Sequence, residues 1–118
     1  MKLICYDIVI EKDKMNDEIE AICEKYKVIK EYAYILHDKD TCCPHYHVYL
    51  GFLSSCDFYI GQIGKWFKSP KSCIFPIYNK TKYFEYLLRD FSTEHKRVGY
   101  SIEDIIANFD VKKYFAKI

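Results

Sequence analysis

The chain predicts an α+β domain, an antiparallel sheet backed by helices, on three observations. Residues from Leu3 to Ile10 alternate, with Ile4, Tyr6, Ile8 and Ile10 on one side and Cys5, Asp7 and Val9 on the other, the period of a strand. From Lys14 to Tyr26, the apolar positions Met15, Ile19, Ile22, Cys23 and Tyr26 recur at the spacing of one helix face. Two β-branched and aromatic runs then follow, Val28 to Leu36 and Tyr46 to Phe52, separated by turn residues from Asp38 to Pro44.

The remaining elements follow in order. Ser55 or Asp57 is positioned to cap a helix running to about Phe67, with Phe58, Ile63, Trp66 and Phe67 as its apolar members and Gly61 and Gly64 weakening it. Cys73 to Tyr78 is a short strand candidate that Pro76 confines to an edge or irregular position. Lys80 to Arg89 has helical pattern. The resulting β-α-β-β-α-β series is the split arrangement of ferredoxin-like domains, with a central antiparallel sheet, helices on one face and an open face for a ligand. Beyond Gly99, Ser101 caps a predicted helix through Asn108, with Glu103 and Asp104 in its first turn, and Asp110 caps another. The expectation is one domain over residues 1–118 with a short helical C-terminal appendage from about residue 100.

Composition sets outer bounds. A chain of 118 residues, 50% apolar, is long enough for one hydrophobic core. A formal charge of +1 is too small for a protein that holds duplex DNA through many phosphates, so any nucleic-acid affinity has to come from a local basic patch and stacking. Twelve tyrosines and eight phenylalanines supply core filler, stacking platforms and candidate nucleophiles. The six cysteines come without a signal-peptide pattern, which predicts free thiols in a reducing, intracellular compartment. No apolar run approaches the roughly 20 residues that span a bilayer.

His45 and His47 are two apart in a strand, so both imidazoles project from one sheet face while Tyr46, Val48, Leu50 and Phe52 point to the other. Tyr49 and Gly51 share the histidine face, where the glycine would let a ligand approach. The hairpin brings His37-Asp38-Lys39-Asp40 back beside the pair, so nitrogen and carboxylate donors converge. Such a mixed set suits a divalent cation with open positions, manganese or magnesium, with imidazole favouring manganese. Two other readings stay open: a surface hairpin with charged tips, and a zinc site recruiting Cys42 and Cys43.

In Lys82-Tyr83-Phe84-Glu85-Tyr86-Leu87-Leu88-Arg89-Asp90, Tyr83, Leu87 and Asp90 share one helix side and Tyr86 and Arg89 another. A phenol ionises near pH 10, so a tyrosine nucleophile needs a nearby cation, which Arg89 supplies one turn on. Simple packing residues remain the competing reading for both tyrosines.

Together, His37-Asp38-Lys39-Asp40, Pro44-His45-Tyr46-His47-Val48 and Tyr86-Leu87-Leu88-Arg89-Asp90 resemble, in order and interval, the motifs of HUH-type replication initiators. The likeness is to the origin-binding nickase domain of plasmid rolling-circle Rep proteins, and the Tyr-x-x-Arg-Asp element also resembles the tyrosine motif of Rep proteins from single-stranded DNA viruses. It spans nearly the whole chain, including the tail around Tyr100 to Tyr114. The resemblance implies the split β-α-β fold and a divalent metal, Mn2+ or Mg2+, on His45, His47, Asp40 and His37. It also implies Tyr86 as nucleophile, with Tyr83 in reserve and Arg89 assisting. The implied reaction is metal-dependent transesterification of single-stranded DNA at a replication origin, in a hairpin or loop, through a 5′-phosphotyrosine. Lys39, Lys65, Lys68, Lys71, Lys80, Lys82, Lys96 and Arg97 are the cations available for DNA.

Plasmid initiators usually continue into an oligomerisation segment and viral ones into a helicase domain. Neither pattern occurs in these 118 residues, which leaves open a longer chain or a recruited host helicase. The competing classes are a noncatalytic ferredoxin-like module for single-stranded nucleic acid and a zinc-stabilised structural domain.

Overall fold

A computed structural model of the chain describes residues 3–14, 19–38, 43–53, 60–88 and 100–115. Among them, the regular elements are β1 (Leu3–Glu11), α1 (Ile19–Lys25), β2 (Ile29–His37), β3 (His45–Leu53), α2 (Ile60–Phe67), β4 (Ile74–Ile77), α3 (Lys80–Leu87) and β5 (Ile106–Ala107). The strands form one antiparallel sheet in the order β4-β1-β3-β2-β5. The first six elements are thus the expected α+β, ferredoxin-like series, followed by the expected helix α3 and by β5. As Pro76 predicts, β4 lies at an edge, and β5 forms the other.

One face of the sheet is an apolar layer. Alternate residues Ile8 and Ile10 of β1 and Val48, Leu50 and Phe52 of β3 pack against Ile19, Ile22 and Cys23 of α1 and Ile63 and Phe67 of α2. Tyr26, just past α1, stacks on Trp66 of α2 with ring centroids 4.5 Å apart, tying the two helices together. Each large side chain buried here contributes about 1.5–3 kcal/mol relative to exposure. Gly64, which the sequence marks as a weakness of α2, is demanded by how that helix ends. Ser69 N–H donates to the Gly64 carbonyl at 2.8 Å, and a Cβ on Gly64 would lie 2.7 Å from the Ser69 carbonyl oxygen. The proposed caps Ser55 and Asp57, like Met15 and Phe58, lie outside the described residues.

The second face, expected to be open, is covered over much of its breadth. Phe84 and Leu87 of α3 and Tyr100, Ile105, Val111 and Phe115 of the C-terminal segment pack on Cys5, Ala33, Ile35 and Tyr49. Tyr49 is fully buried; its hydroxyl donates to Glu31 at 2.9 Å and lies 3.2 Å from the Cys5 sulfur. Gly51 faces the same interior, and a Cβ there would lie 3.1 Å from the Tyr49 hydroxyl and 3.3 Å from Leu3 and Glu31. It makes room for the chain's own side chains, not for a ligand.

The C-terminal segment also departs from expectation. Ser101 and Asp104 form the predicted cap, but on a single 3-10 turn, Ile102–Asp104, and the chain then becomes strand β5. β-Branched Ile105 and Ile106 favour extension, and an edge of β2 is available to pair. Asn108 fastens that edge: its side-chain oxygen accepts from Tyr32 N–H at 2.8 Å and its own N–H donates to the Tyr32 carbonyl at 3.1 Å. Asp110 caps the last turn, Val111–Tyr114, as predicted, again of 3-10 form.

Candidate metal centre and tyrosine

Antiparallel pairing of β2 with β3 sets His37 opposite His45 and Ile35 opposite His47, while β1 sets Val9 opposite His47 on its other side. Three imidazoles therefore meet where the second face ends, at the β2–β3 turn. Their ring centroids are 4.7 to 5.5 Å apart, and one ring nitrogen from each lies within 4.8 Å of the other two. His37 and His47 are buried and His45 is half-buried. The three nitrogens are near enough together to be candidate donors to one cation, which imidazoles bind at about 2.1 Å.

The neighbours of each ring fix which nitrogen can ligate. His45 Nδ1 lies 2.9 Å from the Cys43 carbonyl, and His37 Nε2 lies 2.7 Å from the Leu87 carbonyl. A carbonyl only accepts, so these nitrogens carry the protons and the lone pairs sit on His45 Nε2 and His37 Nδ1. His47 Nδ1 is 3.2 Å from both oxygens of the buried Asp7 carboxylate, which leaves its Nε2 lone pair for a ligand in the same way. Tyr100 stacks on His37 with centroids 4.7 Å apart and receives the Asp38 N–H on its hydroxyl at 3.0 Å, closing the back of the site. Among the described residues the cluster is all imidazole. The expected ligand Asp40 and the rival Cys42 lie outside the described residues, and the carbonyl of Cys43 meets His45 Nδ1.

Helix α3 carries both candidate tyrosines. Asn79 caps it, accepting the Lys82 N–H at 3.0 Å, and burial of Phe84 and Leu87 fixes which side faces the sheet. Tyr83 thereby turns inward and donates its hydroxyl to Asp7 at 2.7 Å. Burial, and then the Asp7 charge, push its pKa well above the usual value, the opposite of what a nucleophile requires. Tyr86, 44% exposed, sets its ring edge-on to His47 with centroids 6.0 Å apart. Arg89 lies outside the described residues.

Beside the tyrosines, a cleft of about 310 Å³ is lined by Asp7, Phe75, Tyr78, Lys82, Tyr83 and Tyr86. Phe75 and Tyr78 are exposed, as an aromatic platform for stacking would be. Of the cations suggested by sequence, Lys82 lines this cleft and Lys80 begins the same helix. Lys65, Lys68 and Lys71 belong to α2 and the turns after it, on the helix-backed side, and Lys39, Lys96 and Arg97 lie outside the described residues.

Sequence reasoning missed Asp7 and Tyr100. The signal for Asp7 was a lone carboxylate on the alternate side of an otherwise apolar strand. Tyr100 left no comparable sign, because its role depends on how the tail crosses the sheet.

No helix among the described residues is long and apolar enough to cross a membrane. No family model and no solved structure matches the chain. It is 31% identical over 132 residues to a replication protein of Onion yellows phytoplasma (strain OY-M). That alignment takes in 95% of this chain but only 34% of the relative, so what the chain is similar to is about a third of a replication protein.

Proposed function

We propose that the chain acts in DNA replication as an HUH-type nickase, cutting single-stranded DNA at a rolling-circle origin through a 5′-phosphotyrosine. One observation carries the reading: three convergent imidazoles with an exposed tyrosine, Tyr86, against one of them. Similarity to part of a replication protein supports the process, and the three ordered motifs support the chemistry.

His37, His45 and His47 would hold the metal, with Asp40 as a further donor. When bound, a divalent cation, manganese or magnesium, supplies positive charge to a non-bridging oxygen of the scissile phosphate. The Tyr86 oxygen attacks phosphorus in line, with Arg89 favouring its phenolate. A tyrosyl O–P bond forms, the P–O3′ bond breaks, and the 3′ oxygen leaves with the bonding pair and takes up a proton. Attack by a 3′-hydroxyl on the phosphotyrosine reverses the step and rejoins the strand. Unpaired bases in an origin hairpin or loop stack on Phe75 and Tyr78 while Lys80 and Lys82 meet phosphates. A host helicase is the partner that would open the duplex.

The test is to incubate the protein with labelled single-stranded oligonucleotides from an origin library in Mn2+ and look for label joined covalently to protein. The expected adduct disappears with chelator and in Tyr86→Phe. Full adduct formation by Tyr86→Phe would remove that residue as nucleophile. Binding without cleavage across the library would favour the noncatalytic module, and unfolding by chelator the zinc-stabilised domain.

A further inference from the structure

Asp7 is an unusual residue for its position. It stands between Tyr6 and Ile8 in a central strand, 7% exposed, where an ionised carboxylate costs stability unless its oxygens are well satisfied. Its partners come from two different parts of the molecule. Both carboxylate oxygens face His47 Nδ1 at 3.2 Å, across β1 and β3, and Oδ1 also accepts the Tyr83 hydroxyl at 2.7 Å, from α3. Tyr86 follows Tyr83 by three residues, one helical turn, and its ring returns to the edge of His47. His47, Asp7, Tyr83 and Tyr86 thus form a closed ring of contacts joining the imidazole cluster to the helix with the exposed tyrosine.

We propose that Asp7 is a positioning residue that orients His47 for metal and, through Tyr83, sets the rotation of α3 that holds Tyr86 beside the metal centre. The inference rests on the reading of His47 as a ligand and Tyr86 as nucleophile. A carboxylate facing Nδ1 holds the proton there, presents the Nε2 lone pair and makes the ring a stronger donor. On its other side, the hydrogen bond to Tyr83 pins α3 at its first turn, so one side chain serves both halves of the site. Tyr83 then has a role without being a nucleophile: its hydroxyl is committed to Asp7.

Two measurements test this. In the metal-free wild-type protein under mildly alkaline conditions, ¹⁵N shifts of the histidine rings should report the Nδ1–H form at His47. The Nε2–H form there would overturn the proposal whatever the variants do. Mn2+ titration by calorimetry should then show Asp7→Asn weakening affinity by about 10–100-fold, with Tyr83→Phe within about threefold of wild type. Circular dichroism checks that both variants are folded. Tyr83→Phe should instead slow adduct formation while leaving metal affinity, and unaltered Mn2+ affinity in folded Asp7→Asn would overturn the proposal. Neither the shifts nor the titration requires DNA cleavage, so a wild-type protein that binds Mn2+ as expected yet forms no adduct counts against the nickase reading and not against the orientation of His47.

Discussion

The two faces of the sheet are built from alternate residues of the same strands and do opposite work. In β3, Val48, Leu50 and Phe52 go to the helix-backed face and bury only hydrocarbon, whereas His45, His47 and Tyr49 go to the other and bury nitrogen and oxygen. The aliphatic side chains of the first face need no hydrogen-bond partners and tolerate no gap. In the second, every polar group has to find a partner, and those partners, Asp7, Leu87 and Cys43 among them, set the orientation of the imidazoles. Period-two alternation lets a 118-residue chain keep a core and a reactive cluster within about one strand's thickness of each other.

That division is easiest to break with a pair of substitutions in β3. His45→Ala should reduce adduct formation by roughly a thousandfold or more, since metal charge stabilisation is worth several kcal/mol at the transition state. Its thermal stability without metal should stay within about 1 kcal/mol of wild type. Phe52→Ala should do the reverse, losing about 3–5 kcal/mol of stability, or about 10 °C or more in Tm, while any protein still folded binds Mn2+ normally. Thermal melts and calorimetry on the two variants decide it, and equal losses of stability would erase the distinction between the faces.

A smaller effect, read by pH, belongs to the helix-backed face, where Cys23 and Tyr32 are both buried. Burial pushes the Cys23 thiol up to about 12 from its ordinary 9.0, and burial with the Glu24 hydrogen bond pushes Tyr32 up to about 12. Groups whose pKa is raised on folding stabilise fully below their unfolded values and lose that contribution as pH rises through the folded ones. The Tm should therefore hold to about pH 9 and fall between about 9 and 12. Cys23→Ala should flatten the start of that fall, and an unchanged profile would show that the thiol ionises as freely folded as unfolded. The smallest effect belongs to the edge, where Asn108→Ala leaves Tyr32 N–H without its side-chain acceptor and should cost about 1 kcal/mol in a denaturant melt.

Strands β1 to β3 were legible because their two sides carry different chemistry, and α3 because Tyr83, Phe84 and Leu87 follow helical spacing. His37 and the His45, His47 pair could be brought together on paper, since a hairpin sets its two ends side by side. What the sequence hid depended on elements distant along the chain. Asp7 reads as an oddity in an apolar strand until α3 brings Tyr83 to it, 76 residues later. Ser101, Glu103 and Asp104 are sound helix-start signals, but nothing local says that the edge of β2 will capture Ile106 and Asn108 after a single turn. The same holds for the covered second face: alternation shows which residues point there, and only the path of the tail decides whether they meet solvent or Phe115.

Peptide mapping of the protein–DNA adduct formed by the wild-type chain in Mn2+ tests Tyr86 as the nucleophile beside the three histidines. The expected product is a single nucleotide-bearing peptide with the modification on Tyr86. Modification on Tyr83, whose hydroxyl is held by Asp7, or on any tyrosine away from the three histidines would contradict it.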